Sequence, residues 1–215
     1  MMKPDALIFD MDGTLWDAVD MYAQSWTEVF KSKGLNRVML RSDIQSLMGL
    51  EIAPFLEKTI PEIPEEERMV FYQNVLNEYK VQLYKGLVVI YPDVISGLQK
   101  LSQSYSLFIL SNCDKGGIRL FLDYSNTESY ITSYIEHGEN YLSKQENMQL
   151  LKTKFNLKNP LYIGDTDSDR KASELAGVPF VLVTYGFGVT DKYAAAFESF
   201  EDLTEYFLAL AAIDI

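Results

Sequence analysis

A single cysteine, Cys113, leaves the chain without an internal disulfide framework and fits a reducing compartment. It also has no partner for cysteine catalysis, so buried packing is its expected role. His137 is the only histidine, and its place in a loop reads as incidental rather than catalytic. Positive charge is scarce too. Nineteen lysines and arginines face 31 aspartates and glutamates, a formal net charge of −12. That balance argues against nucleic-acid binding and against attraction to anionic membranes. No apolar run approaches the roughly 18 residues a membrane span needs. The opening MMKPDALIFD has no h-region or cleavage site of a signal peptide, and a cytoplasmic location is expected. An acidic chain that handles an anionic ligand must neutralise it locally, with a metal or a few well-placed cations.

What is present is apolar material in a regular arrangement. Hydrophobic residues make up 47% of the 215, enough for a sizeable core. Neither an internal repeat nor a low-complexity tract interrupts them. Four short apolar runs, Ala6–Phe9, Leu107–Leu110, Leu161–Ile163 and Phe180–Val183, read as buried strands. Helical patterns and turn residues separate them, the signature of a parallel α/β sheet. SKQE at Ser143–Glu146 reads as a capping box opening a helix whose apolar face carries Met148, Leu151 and Phe155. Further helices are expected over 167–176, closed by Gly177, and over 202–213. Between Ala18 and Gly86 only helical periodicity appears: Val19, Tyr22, Trp26, Val29 and Phe30, then Met69, Tyr72, Val75, Leu76 and Tyr79. The expected organisation is a doubly wound, mainly parallel α/β core (1–17 and 87–215) with a helical insert (18–86) that could serve as a lid.

Three of the four runs end in chemically useful residues: Asp10 and Asp12, then Ser111 and Asn112, then Asp165 and Asp169. Ligands of open parallel sheets bind beyond the carboxyl ends of the strands, so three such endings point to one site. Gathered carboxylates repel each other unless a cation sits between them, and surroundings rich in oxygen and poor in histidine suit magnesium better than zinc. Ser111 and Asn112 offer a hydroxyl and an amide to phosphate oxygens. A lysine is then needed to offset charge around a phosphoryl group.

The segment FDMDGTLWD resembles the first motif of the haloacid dehalogenase superfamily, and of its phosphatases in particular. Leu110-Ser111-Asn112 resembles the second motif, and Lys144 lies where the third-motif lysine is expected. IGDTDSD, Ile163–Asp169, resembles the acidic fourth motif. The likeness runs from Ala6 to about Gly188, with the insert where the family's helical (type 1) cap lies. It implies a phosphoglycolate phosphatase-like, magnesium-dependent hydrolase of a small phosphorylated metabolite. Asp10 would be the nucleophile and Asp12 the general acid and base. Asp10, the carbonyl of Asp12, and Asp165 would hold the metal, with Asp169 a further ligand. Ser111, Asn112 and Lys144 would bind the phosphoryl group, and Gly13 and Thr14 would shape the loop facing it. Two positions depart from the family pattern: Gln145 follows Lys144 where relatives often have proline, and Pro92-Asp93 stands where they often have Pro-Gly. Lys152 and Lys154, further along the same helix, are substitutes for Lys144. Rival readings are a sugar phosphomutase of the same superfamily and a phospho-accepting signalling module. The motifs favour the hydrolase, and oligomeric state is left open.

Overall fold

The computed structural model describes residues 3–213. Its elements run in chain order β1 (Ala6–Phe9), β2 (Trp16–Asp17), α1 (Val19–Ser32), α2 (Arg41–Gln45), α3 (Ile52–Thr59), α4 (Glu65–Gln82), β3 (Val89–Ile90), α5 (Val94–Leu101), β4 (Ser106–Ser111) and α6 (Gly117–Ser125). There follow β5 (Ser133–Glu136), α7 (His137–Asn140), α8 (Lys144–Lys154), β6 (Pro160–Gly164), α9 (Asp167–Leu175), β7 (Phe180–Val183), β8 (Ala195–Phe197) and α10 (Phe200–Ala212). The chain divides into two compact units. One is Trp16–Val89; the other joins the described residues up to Leu15 with those from Ile90 onward.

The second of these units is built on six strands in the order β5-β4-β1-β6-β7-β8, with every pair parallel. All four residues of β1 are buried, as a strand covered by helices on both faces requires. From β1 the chain steps outward to β4 and β5, returns to β6 on the other side of β1, and steps outward again. The reversal lies between β1 and β6, where such sheets open a crevice at their carboxyl ends. Ile8, Phe108, Leu110, Tyr162 and Leu182 meet Met148 and Leu151 of α8 in one core cluster, with Phe155 packed against it. The helical face expected at 148, 151 and 155 is therefore the one that packs. Helix α10 begins two residues before its expected start, because Ser199 caps it by accepting from the Asp202 N–H at 3.0 Å.

Two strands at the sheet margins, β5 and β8, have no counterpart among the four apolar runs. β5 reads Ser-Tyr-Ile-Glu and β8 Ala-Ala-Phe, and both are partly exposed. They pair in parallel with β4 and β7, and neither has the continuous apolar run of a central strand.

The Trp16–Val89 unit is helical apart from its short strand residues, and it centres on Trp26. The indole stacks against Phe71 and Tyr72 with centroids 6.0 and 5.8 Å away, and Phe30 and Phe55 pack tilted against it at 5.6 and 5.9 Å. Val19, Trp26, Val29, Phe30, Tyr72 and Val75 are buried as their periodicity requires. Met69 is not; it is 42% exposed. It belongs to the first turns of α4, which with exposed Glu65, Glu66 and Glu67 lie outside the aromatic cluster. Arg37 donates to the Thr59 carbonyl at 2.6 Å and covers the Phe30 ring, while Arg41 pairs with Asp17 and Asp20. Both guanidinium groups thus have partners within their own unit.

Asp93 adopts φ +62° at the entry to α5. It is exposed and makes no side-chain cap bond, so its left-handed backbone is uncompensated. Asp93→Gly should raise the free energy of unfolding by up to about 1 kcal/mol in a denaturant titration. An unchanged or lower value would show that the aspartate stabilises this turn.

Candidate active site

β1 and β6 deliver two carboxylates to the crevice. The Asp10 N–H donates to the Ile163 carbonyl at 2.8 Å, extending the β1–β6 ladder and holding Asp10 at its end. Asp165 follows the last residue of β6 and is fully buried. The third carboxylate comes from α9, whose first turn is a capping box. Thr166 Oγ1 accepts from the Asp169 N–H at 3.2 Å, and Asp169 Oδ2 accepts from the Thr166 N–H at 3.1 Å and hydroxyl at 2.6 Å. Asp10, Asp165 and Asp169 each offer a ligand oxygen within 4.8 Å of the others.

Lys144 supplies the cation. Ser143 and Glu146 form the capping box that starts α8, so Lys144 occupies the first helical position and turns inward. Its Nζ donates to Asp169 Oδ1 at 2.6 Å and to Asp10 Oδ1 at 3.0 Å, and is 5.7 Å from the Tyr162 ring centroid. Gln145 comes second in the helix, where the N–H has no intrahelical acceptor, so replacing proline there costs little. Lys152 is spent on the Ala176 carbonyl and Lys154 lies over Phe155. Neither substitutes for Lys144.

The remaining candidates surround this cluster in different ways. Asp12 is half-buried two residues beyond Asp10. Ser111 ends β4, the strand beside β1, and its buried Oγ accepts from the Cys113 N–H at 3.2 Å. Asn112, the next residue, is half-buried. Gly13 has φ +81°, and a side chain there would run into the Asp165 carboxylate. Thr14 is fully buried. Its N–H turns back to the Met11 carbonyl at 3.2 Å, and its hydroxyl has no partner. Thr14 therefore shapes the turn. His137 is buried at the start of α7 with Nδ1 3.0 Å from the Leu142 carbonyl, consistent with a structural role.

Three buried carboxylates against one ammonium leave two negative charges without a counter-charge, and the titration behaviour follows. Burial opposes the ionised form of Asp169, but Lys144 and Thr166 outweigh it and hold this group below the usual carboxylate range. Burial works against the Lys144 ammonium as well; Asp10 and Asp169 overcome it and keep the lysine charged. Asp10 is pushed well above the ordinary value by burial, and the neighbouring Asp169 and Asp165 add to this against the pull of Lys144. Asp165 rises to about 7, chiefly through burial and then through Asp169. The lysine charge is committed most closely to Asp169, leaving Asp10 and Asp165 short of a cation.

Asp165 fits a metal in a second respect. Its Oδ2 accepts from the Phe187 N–H at 2.6 Å, while its buried Oδ1 has no hydrogen-bond partner. A buried carboxylate oxygen left unpaired is costly in a purely organic site and natural in one that ligates a cation.

Sequence reasoning missed three contributors. Tyr162 lies inside an apolar run, and its hydroxyl donates to the Leu110 carbonyl at 3.2 Å and contacts Asp169 Oδ1 at 3.3 Å. Tyr185 and Phe187 lie in the Tyr-Gly-Phe-Gly segment after β7, where the closely spaced glycines were the available signal.

The model of the haloacid dehalogenase-like hydrolases matches residues 7–183. The chain belongs to that family. It is a phosphatase of the family, phosphoglycolate phosphatase-like in sequence. A phosphoglycolate phosphatase of Rhodobacter capsulatus is 28% identical over 92% of this chain and 94% of its own length. One from Aquifex aeolicus is 27% identical over 84% of this chain and 85% of its own. Among solved structures, a Haemophilus somnus protein described as a predicted phosphoglycolate phosphatase superposes with a TM-score of 0.83. It is 22% identical and the match covers 96% of this chain and 99% of that one, a likeness of fold. Enzymes of this family generally use a divalent metal, and the aspartate cluster could hold one.

A pH dependence follows from Asp165. Its pKa in the folded protein, about 7, lies above its ordinary 3.8. Its protonation therefore stabilises the metal-free fold fully below about pH 3.8, and this stability is lost as pH rises towards about 7. Measured in chelator against Asp165→Asn, wild-type stability should fall across that window. A difference independent of pH would contradict the environment described.

Proposed function

We propose that this phosphatase hydrolyses a small phosphate monoester, with magnesium as its metal, through an aspartyl-phosphate on Asp10. The observation that carries the reading is the cluster at the β1–β6 crevice: Asp10 beside Lys144, with ligand oxygens of Asp10, Asp165 and Asp169 within 4.8 Å of one another. Asp10, the Asp12 carbonyl and Asp165 would hold the magnesium. Asp169 would contribute mainly through Lys144, because both its oxygens are already engaged. When bound, magnesium supplies the positive charge this cluster lacks and draws negative charge from the phosphoryl oxygens.

In the first half-reaction an Asp10 oxygen attacks phosphorus and the P–O bond to the alcohol breaks. Asp12, protonated, gives its proton to the departing oxygen. In the second half-reaction Asp12, now a carboxylate, takes a proton from water, whose oxygen attacks phosphorus. Inorganic phosphate leaves and the Asp10 carboxylate is restored. Lys144 keeps positive charge beside Asp10 and the phosphoryl group throughout, while Ser111 and Asn112 bind phosphoryl oxygens. Burial of Asp10 removes competing water from the nucleophile.

Phosphoglycolate is the first substrate to test, since relatives spanning most of the chain carry that activity in their names. A small phosphorylated metabolite is the proposed partner, and no helix among the described residues is long and apolar enough to cross a membrane. The helical unit is proposed as the cap, and the cytoplasm as the location.

Phosphate release from a panel of small esters, with phosphoglycolate included, tests this reading. Release should require magnesium, stop in chelator, and fall by several orders of magnitude in Asp10→Asn. An Asp10→Asn enzyme within tenfold of wild type would be fatal to the nucleophile assignment.

A further inference from the structure

The segment between β7 and β8 takes no part in the chemistry above, yet it is tied to the site at three points. The Tyr185 hydroxyl donates to the Thr14 carbonyl at 2.9 Å, in the turn that follows Asp10 and Asp12. The Phe187 N–H donates to Asp165 Oδ2 at 2.6 Å. The Thr190 hydroxyl donates to Asp167 Oδ1 at 3.2 Å, in the first turn of α9. Between the first two ties lies Gly186. A methyl group there would overlap the Asp165 Cβ, its Oδ2 and the Gly13 carbonyl. Gly13 closes on the same carboxylate, since a side chain at that position would meet Asp165 and the Phe187 ring. Asp165 thus packs directly against two glycines. One oxygen is fixed by a backbone amide and the other is buried without a partner.

We propose that Tyr185–Thr190 is a positioning strap: it holds Asp165 Oδ2, leaves Oδ1 as the oxygen available to ligate, and so sets the affinity of the metal site. The inference rests on the metal reading above and adds to it residues that never touch the metal. Hydrogen bonds that orient a ligating group restrict it to one productive arrangement, and losing them typically lowers metal affinity by about 10–100-fold. The strap has the form such a role needs. It is anchored at both ends, its central donor is a backbone N–H that side-chain substitution does not remove, and its closest approach requires glycine. It also joins the Gly13–Thr14 turn to Asp165, linking the two strand ends that carry the ligand set.

Magnesium titrated calorimetrically into the whole purified protein tests the proposal, with thermal unfolding in chelator run alongside. Wild type should bind. Gly186→Ala should bind at least tenfold more weakly, and Tyr185→Phe, which keeps the ring and loses only the bond to Thr14, several-fold more weakly. Tyr185→Phe should unfold in chelator within a few degrees of wild type, which separates positioning from loss of fold, whereas the Gly186→Ala methyl must displace the Gly13 carbonyl and is expected to lower stability. If Gly186→Ala does not fold, Tyr185→Phe decides the matter. Variants that bind within twofold of wild type would overturn the strap and leave the metal reading intact. A wild type that binds no magnesium would overturn both.

Discussion

Everything at the carboxyl end of the sheet depends on one electrostatic problem: how to keep three buried carboxylates together around a single ammonium. Lys144 answers it in part. Its shorter contact is to Asp169, whose other oxygen is already used in the capping box of α9, so these two groups form a settled, fully charged pair. Asp10 and Asp165 then share what positive charge is left, and burial drives both towards the protonated form. A divalent cation would match the two charges outstanding. The cluster is a stable structure only in part; the unmet remainder is what makes it a site.

The fold supplies the convergence. β1 and β6 flank the point where strand order reverses, and their ends bring Asp10 and Asp165 side by side. Two helix N-termini arrive at the same place, each opened by a capping box. That of α8 aims Lys144 inward, and that of α9 fixes Asp169. Local hydrogen bonding worth about 1 kcal/mol per cap thereby sets the geometry of a long-range ion pair. Asp169 shows how a structural and a functional reading can both hold for one residue: it caps its helix with one oxygen and binds Lys144 with the other.

Much of this was legible in the sequence because the signals were local. Buried parallel strands read as continuous apolar runs, SKQE announces a helix start, and aspartates just beyond strand ends stand out against apolar neighbours. Other features were not legible, for physical reasons. β5 and β8 are too short and too interrupted to read as apolar runs: Ser133 and Glu136 flank Tyr134 and Ile135 in β5, and β8 is Ala-Ala-Phe. Tyr162 looks like any aromatic in a buried strand until the fold brings its hydroxyl to Asp169. Met69 keeps the helical period yet is exposed, since periodicity cannot reveal where a helix outruns its packing. The contact of Phe187 with Asp165 spans 22 residues and uses a backbone N–H, so Gly186 and Gly188 mark the segment without revealing its partner.

The central claim is that this acidic cluster exists for a cation and a phosphoryl group on Asp10. A crystal structure grown with magnesium and beryllium fluoride, which mimics a phosphorylated aspartate, tests it most directly. The expected result is a magnesium ion about 2.0–2.1 Å from oxygens of Asp10 and Asp165, with the fluoroberyllate joined to Asp10 and Lys144 alongside. A well-ordered site with no metal among these carboxylates, and fluoroberyllate absent or bound elsewhere, would contradict it.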